Sequence, residues 1–406
     1  MDRETKLLVL ILAVALVLRA YGAFAFPLWS GPDEPSHFAV VQYVAENGAY
    51  PAEGKEVLDG SSALYESVQQ PPLYYFLASP IYNATHSSGV EGSVHALRLL
   101  SVFLGMLSIL FAFWLAKEVS ENQKIALLVA GIIAFLPTHL VVSSVVNNGP
   151  LEWVFAGTSL LLMVKAIRAP KFWSILGAGI LFGLAVDSKI TSLCLLAAFA
   201  IAFFVYAKNS KDAIWKKIIA FVAPFAVMLP VFLRNISVHG ELIPTQPANV
   251  FAHDFGWLQY VASHLFAGTF LQEYGTALIP SYRFAFFAFW LLLSVIALAG
   301  IALYLRDKKR AAFENIPLMA VSAATLLNLL GILYLNAKWL FPEGRLLFAT
   351  LPVWAMLFVL GLQRVNRKYG TAMAVVLIAS LAFVSLVLLA NVNAVLPAVP
   401  WPVFPV

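Results

Sequence analysis

Two adjacent carboxylates fenced by prolines are the first residues able to do chemistry: Pro32-Asp33-Glu34-Pro35, with His37 about one helical turn later. Proline fixes its own φ and restricts the residue before it, so these four residues make a stiff pedestal for an acid pair. A carboxylate held this way can take a proton from a hydroxyl. Groups suited to an anion stand far away in the chain. Arg234 and Arg345 lie where apolar runs end or begin, and a guanidinium fork can meet two phosphate oxygens at once. Lys189 adds a third positive charge inside an otherwise apolar stretch. Plainer readings stand beside these: Asp33 could cap a helix that starts near Pro35, and arginines at span ends can reach for lipid headgroups.

The elements that must hold these groups belong to a bilayer. The chain has 406 residues, 61% hydrophobic and 12% charged, with a mean hydropathy of +0.84, far from a soluble domain. Apolar runs long enough to cross are predicted near 7–26, 96–115, 125–146, 151–164, 214–233, 284–305, 316–335, 346–363 and 371–390. The stretch 172–207, broken by Asp187, Ser188 and Lys189, predicts a tight hairpin, giving eleven crossings. The run Pro71–Tyr82 is too short to span and is expected as a juxtamembrane helix. A second one should start near Pro35 and run through Ala45, resting the face of Phe38, Val41 and Val44 on the lipid. Cys194 is the only cysteine and lies in an apolar run, where helix packing accounts for it.

Charge orients the chain. With the N-terminus inside, all but eight of the 26 basic residues fall on the inner side, as the positive-inside rule requires. The eight are Arg19, Lys55, Arg98, Lys189, Arg234, Arg283, Lys338 and Arg345, and the acidic residues favour the same outer half. The basic balance thus reports topology, and no nucleic-acid partner is expected. Ionisable groups at membrane depth are costly unless paired or lining a cavity, so a polar site facing outward is expected. The C-terminus, with Trp401 in a proline-rich tail, should also lie outside. No repeat or soluble domain is evident, so residues 1–406 read as one membrane domain: a core 1–235 with outer loop 27–95, an outer interfacial segment 236–283, and C-terminal helices 284–406.

Further motifs follow the acid pair in order: Gln69-Gln-Pro-Pro-Leu-Tyr-Tyr75, Ala96-Leu-Arg-Leu-Leu-Ser101, Asn147-Asn148 at an outer turn, Lys189, Arg234-Asn-Ile-Ser-Val-His-Gly240, and Glu343-Gly-Arg-Leu-Leu-Phe348. This series resembles the GT-C superfamily of lipid-phosphate-sugar transferases, including protein O-mannosyltransferases and the aminoarabinose transferase of lipid A. The resemblance covers roughly residues 1–365, and the Asp-Glu pair after the first span is its most specific element. It departs from the family at Gly149, where relatives often carry an aspartate.

The resemblance implies an all-α polytopic fold with about eleven transmembrane helices, and a glycosyltransferase that uses a polyprenyl-phosphate sugar donor. It assigns Asp33 as the base, with Glu34 orienting the acceptor or helping to bind a metal. It also implies substrate contacts from His37, Gln70, Tyr74, Arg98 and Asn148, with Arg234, Arg345 and Lys189 on the donor phosphate. Direct displacement would invert the anomeric centre. The acceptor could be a glycan, a lipid or a protein. His37, His239 and His253 lack a metal-ligand spacing, which neither requires nor rules out a divalent cation. A lipid transporter or flippase is the rival class, but paired halves with broken midplane helices are not evident.

Overall fold

A computed structural model describes residues 2–52, 69–244, 255–270, 280–307, 315–338 and 340–392. Lys55, His253 and the tail at 399–406 lie outside the described residues, as does the Arg283 side chain. Among the described residues the protein is helical with no strand. Nine helices among the described residues are long and apolar enough to cross a membrane, and two shorter apolar helices, Gln123–Phe135 and Phe172–Ser188, lie in two further runs expected to cross.

Helix α1 (Arg3–Ala25) leads into the acid-pair loop, and α2 (Glu34–Asn47) and α3 (Leu73–Thr85) follow. The long α4 (Gly89–Ser120) returns across the bundle. The run expected as one span over 125–146 is instead two helices, α5 (Gln123–Phe135) and α6 (Pro137–Val142), because Pro137 has no N–H to continue the ladder. Next come α7 (Gly149–Arg168), α8 (Phe172–Ser188), a 3-10 turn (Ile190–Cys194) and α9 (Leu195–Asn209), which form the expected hairpin with Lys189 at its tip. The rest is α10 (Ile214–His239), α11 (Phe255–Phe270), α12 (Pro280–Asp307), α13 (Ile316–Lys338), a 3-10 helix (Gly344–Thr350), α14 (Leu351–Val365) and α15 (Arg367–Ala390). Last turns of α4, α7, α9, α12, α13 and α14 carry Lys or Arg.

One expectation for the first outer loop is corrected. Phe38, Val41 and Val44 of α2 do not rest on lipid; they are buried with Tyr74, Tyr75, Val94 and Val146 in a separate core beneath the loop. A buried face against α3 and α4 fixes the orientation of α2 more firmly than a fluid interface could.

Arg19, one of the eight basic residues set apart by charge, lies in the interior. It does not reach the headgroups but is fully buried, donating to Ser143 Oγ (2.9 Å), the Ala134 carbonyl (2.9 Å) and His139 Nδ1 (2.8 Å). A guanidinium cannot accept, so His139 carries its proton on Nε2, towards Ser108 Oγ at 3.0 Å. Arg19 thus satisfies carbonyls that the break at Pro137 leaves open. Arg19→Leu is expected to cost about 1–3 kcal/mol for each polar group left buried without a partner, read as a fall in the detergent-solubilised melting temperature.

Candidate active site

The acid-pair loop is held in place by backbone conformations that few side chains adopt. Trp29 and Asp33 have φ of 68° and 57°, and aspartate is one of the few residues tolerated there. Gly31 lets the loop press on the turn before α7, since a Cβ at that position would lie 2.7 Å from Val145. Asp33 precedes α2 but makes no side-chain cap bond, so the capping role does not account for it. Its carboxylate retains 43% side-chain exposure.

The two carboxylates of the pair part company. Glu34 is completely buried and takes a two-pronged hydrogen bond from Arg98, Nε to Oε1 and Nη2 to Oε2, both 2.7 Å, plus the Val146 N–H at 3.0 Å. Arg98 donates its other protons to the carbonyls of Ala23 (3.0 Å), Phe26 (2.7 Å) and Pro27 (3.0 Å). Every donor of the guanidinium is thereby used. The structure places Glu34 and Arg98 in a pair that ties the end of α1 and the start of α2 to α4 and to the turn at Val146. Arg98→Met should strand Glu34 in the core and cost about 3–5 kcal/mol, which chemical unfolding in detergent would measure.

Asp33 instead meets residues from far along the chain. Arg345 Nη2 donates to its Oδ2 at 2.6 Å, while Arg345 Nε donates to Glu343. The Arg345 Nη1 group has no hydrogen-bond partner among the described residues. Its 3-10 helix is set by an unusually close backbone crossing with α11, where a Cβ on Gly344 would fall 2.0 Å from the Thr269 nitrogen. Lys189 is the third cation here. Its side chain is mostly buried, Asp33, Glu343, Glu152 and Arg345 all act on its charge, and no carboxylate among the described residues pairs with it.

Desolvation opposes ionisation of Asp33, but the charge and hydrogen bond of Arg345 outweigh it and hold the pKa below the ordinary carboxylate value. Glu343 moves the other way: burial raises its pKa, and repulsion from Asp33 adds to this against the pull of Arg345. His37 is buried, which drives its pKa down to about 3; Asp33 opposes this while Lys189 and Arg345 reinforce it. The neutral ring shares a 2.9 Å hydrogen bond with the Tyr75 hydroxyl.

Remaining predicted residues surround this centre at different depths. Asn148 donates to the Ser188 carbonyl (3.1 Å) and Gln70 Oε1 (3.5 Å), joining the segment before α3 to the hairpin tip. Tyr74 is fully buried beside Ser101, Glu34 and Asn147. Arg234 stacks on the Tyr50 ring (4.6 Å) and donates to the Pro51 carbonyl (2.8 Å). Tyr50 in turn packs on Tyr75, 5.5 Å between ring centres, so Arg234 reaches the centre through two aromatic rings. The local sequence gives Glu343 and Glu152 no role; the one signal is the place of Glu343 two residues before Arg345. Among the described residues no group of three or more His, Cys, Asp and Glu is placed to hold a metal.

Residues 69–237 match the dolichyl-phosphate-mannose-protein mannosyltransferase family. No curated protein is significantly similar in sequence. The fold is shared with the oligosaccharyltransferase of Archaeoglobus fulgidus, with a TM-score of 0.55 and 16% identity over 96% of this chain and 56% of that one. It is shared equally with ArnT from Cupriavidus metallidurans, bound to undecaprenyl phosphate: TM-score 0.55, 13% identity, 96% of this chain and 76% of that one. The arabinosyltransferase EmbB from Mycobacterium smegmatis aligns with a TM-score of 0.54 and 13% identity, over 87% of this chain and 30% of that one. The chain thus spans only about half the length of the archaeal protein. The chain thus shares its fold with these membrane glycosyltransferases, and its residues 69–237 are similar to the mannosyltransferase family.

Proposed function

We propose that the protein moves a sugar from a polyprenyl-phosphate donor to an acceptor hydroxyl at the extracytoplasmic face, in one inverting displacement. The observation that carries this reading is the meeting of a solvent-open carboxylate, Asp33, with two cations that keep unclaimed N–H groups, Lys189 and Arg345. One group can receive a proton; the others can hold the phosphate that departs.

Asp33 takes the proton of the acceptor hydroxyl as its oxygen bonds to the anomeric carbon. The bond from that carbon to the phosphate oxygen breaks, and the polyprenyl phosphate leaves with the electron pair. Lys189 and the Nη1 edge of Arg345 neutralise the charge gathering on the leaving group, the kind of electrostatic stabilisation that dominates such steps. Arg234, at the rim through Tyr50, serves the same anion at longer range. Glu34 takes no part in proton transfer here, since Arg98 holds both of its oxygens. Two fold relatives support a lipid-phosphate ligand: ArnT was solved with undecaprenyl phosphate and the archaeal oligosaccharyltransferase with a dolichol-phosphate. The outward orientation rests on the basic residues gathered at the other ends of the helices.

The test is to reconstitute the protein in liposomes with radiolabelled polyprenyl-phosphate sugars and a membrane extract as acceptor source. Label should pass to acceptor with release of the polyprenyl phosphate. Movement of intact donor between leaflets with no transfer would sink the enzyme reading and favour a lipid transporter.

A further inference from the structure

We infer that Glu152 is the positioning residue and standing counter-charge of Lys189: it fixes the turn that carries the lysine while leaving the ammonium free for a phosphate. This rests on the donor-site reading of Lys189 above. Glu152 lies in the first turn of α7 and is 1% exposed. Its Oε1 accepts hydrogen bonds from the hydroxyls of Thr191 and Ser192, the latter at 2.9 Å. Those residues are the second and third after Lys189, in the 3-10 turn that reverses the chain.

The other flank of the lysine is held from the same helix end, since Asn148, the residue preceding α7, donates to the Ser188 carbonyl at 3.1 Å. The start of α7 therefore grips the hairpin tip on both sides of Lys189. In sequence, the position after Asn148 is Gly149, and the acidic group comes one turn later as Glu152.

Two neutral hydroxyls do not cancel a carboxylate in a buried site; a nearby cation does. The charged groups that face Lys189 are Glu152 from α7, Arg345 and Glu343 from the 3-10 helix region, and Asp33 from the first loop, with the neutral His37 behind it. Burial disfavours the protonated amine; among the charges, Glu152 is the strongest in its favour, Arg345 opposes it, and Glu343 and Asp33 assist. A carboxylate in direct contact would occupy the donors a phosphate needs. Glu152 lies beyond pairing distance, so it retains the charge and leaves the donors open.

Glu152→Gln keeps the size and an acceptor oxygen for both hydroxyls but removes the charge. Undecaprenyl phosphate binding to the detergent-solubilised protein, titrated from about pH 6 to pH 9, reads the effect. In Glu152→Gln the alkaline loss of binding should begin about one pH unit lower than in wild type, about tenfold in affinity on the alkaline side. A wild-type pH profile in that variant overturns the inference. If Lys189→Met binds the lipid phosphate as well as wild type, the donor-site reading itself fails, which separates the two. Should Glu152→Gln not fold, Thr191→Val combined with Ser192→Ala keeps the charge and frees the tip. That variant should bind more weakly at every pH with the alkaline limb unmoved; unchanged binding overturns the positioning role.

Discussion

Asp33→Asn is expected to lower kcat by about 10²–10⁴-fold while the protein still binds its polyprenyl-phosphate donor. Asparagine fits the same left-handed backbone position, φ 57°, and its amide oxygen can still receive the Arg345 hydrogen bond seen at 2.6 Å. It cannot take the acceptor's proton. Single-turnover label transfer, with donor binding measured on the same preparation, isolates the loss. Transfer at the wild-type rate would remove Asp33 from the role of base. The sign of the pH dependence follows from its surroundings. Because Arg345 holds the Asp33 pKa below the ordinary value, the carboxylate stays ionised as pH falls from neutral, and its own protonation limits kcat/KM only at strongly acid pH. Glu343, whose pKa is raised, takes up its proton first. Glu343→Gln should accordingly flatten any inflection seen at mildly acid pH.

Arg345→Met carries the second large effect, about 10²–10³-fold in kcat/KM, the usual consequence of removing one donor from a site that stabilises developing negative charge. Donor affinity should fall with it, since the Nη1 group that has no hydrogen-bond partner among the described residues is lost. A lysine at this position would restore charge but not the fork that contacts Asp33 and Glu343 from separate nitrogens, so Arg345→Lys should recover only part of the activity. The variant also has a signature that mere loss of packing lacks. Without Arg345, the desolvation of Asp33 is opposed only by weaker partners, and the acid limb of the kcat/KM profile should move to higher pH. An acid limb that stays in place would show that Asp33 and Arg345 do not act on each other during turnover.

Side-chain type and spacing alone made the membrane architecture legible. Bilayer thickness sets the length of an apolar run, so the crossings and the hairpin around Lys189 are legible in the sequence. The stiffness of Pro32-Asp33-Glu34-Pro35 was readable for the same local reason. The division of labour inside that pair was not. Asp33 and Glu34 are neighbours with the same functional group, and only the approach of Arg98 from α4 and the Val146 N–H from the turn before α7 decides which one is consumed by the fold.

Arg98 and Arg345 were likewise indistinguishable as outer-half arginines. One finds three carbonyls and a carboxylate and is saturated; the other keeps an open edge beside Asp33. Glu152 could not be tied to Lys189 from sequence, because the link runs through hydroxyls on a turn 39 and 40 residues away. Sequence by itself determined what is set by the solvent and by local backbone sterics: the apolar crossings and the rigid acid loop. Tertiary structure decided which charges are paired and which remain available, because in a low-dielectric interior the state of an ionisable group depends on the few atoms brought within hydrogen-bonding reach, and those come from distant parts of the chain.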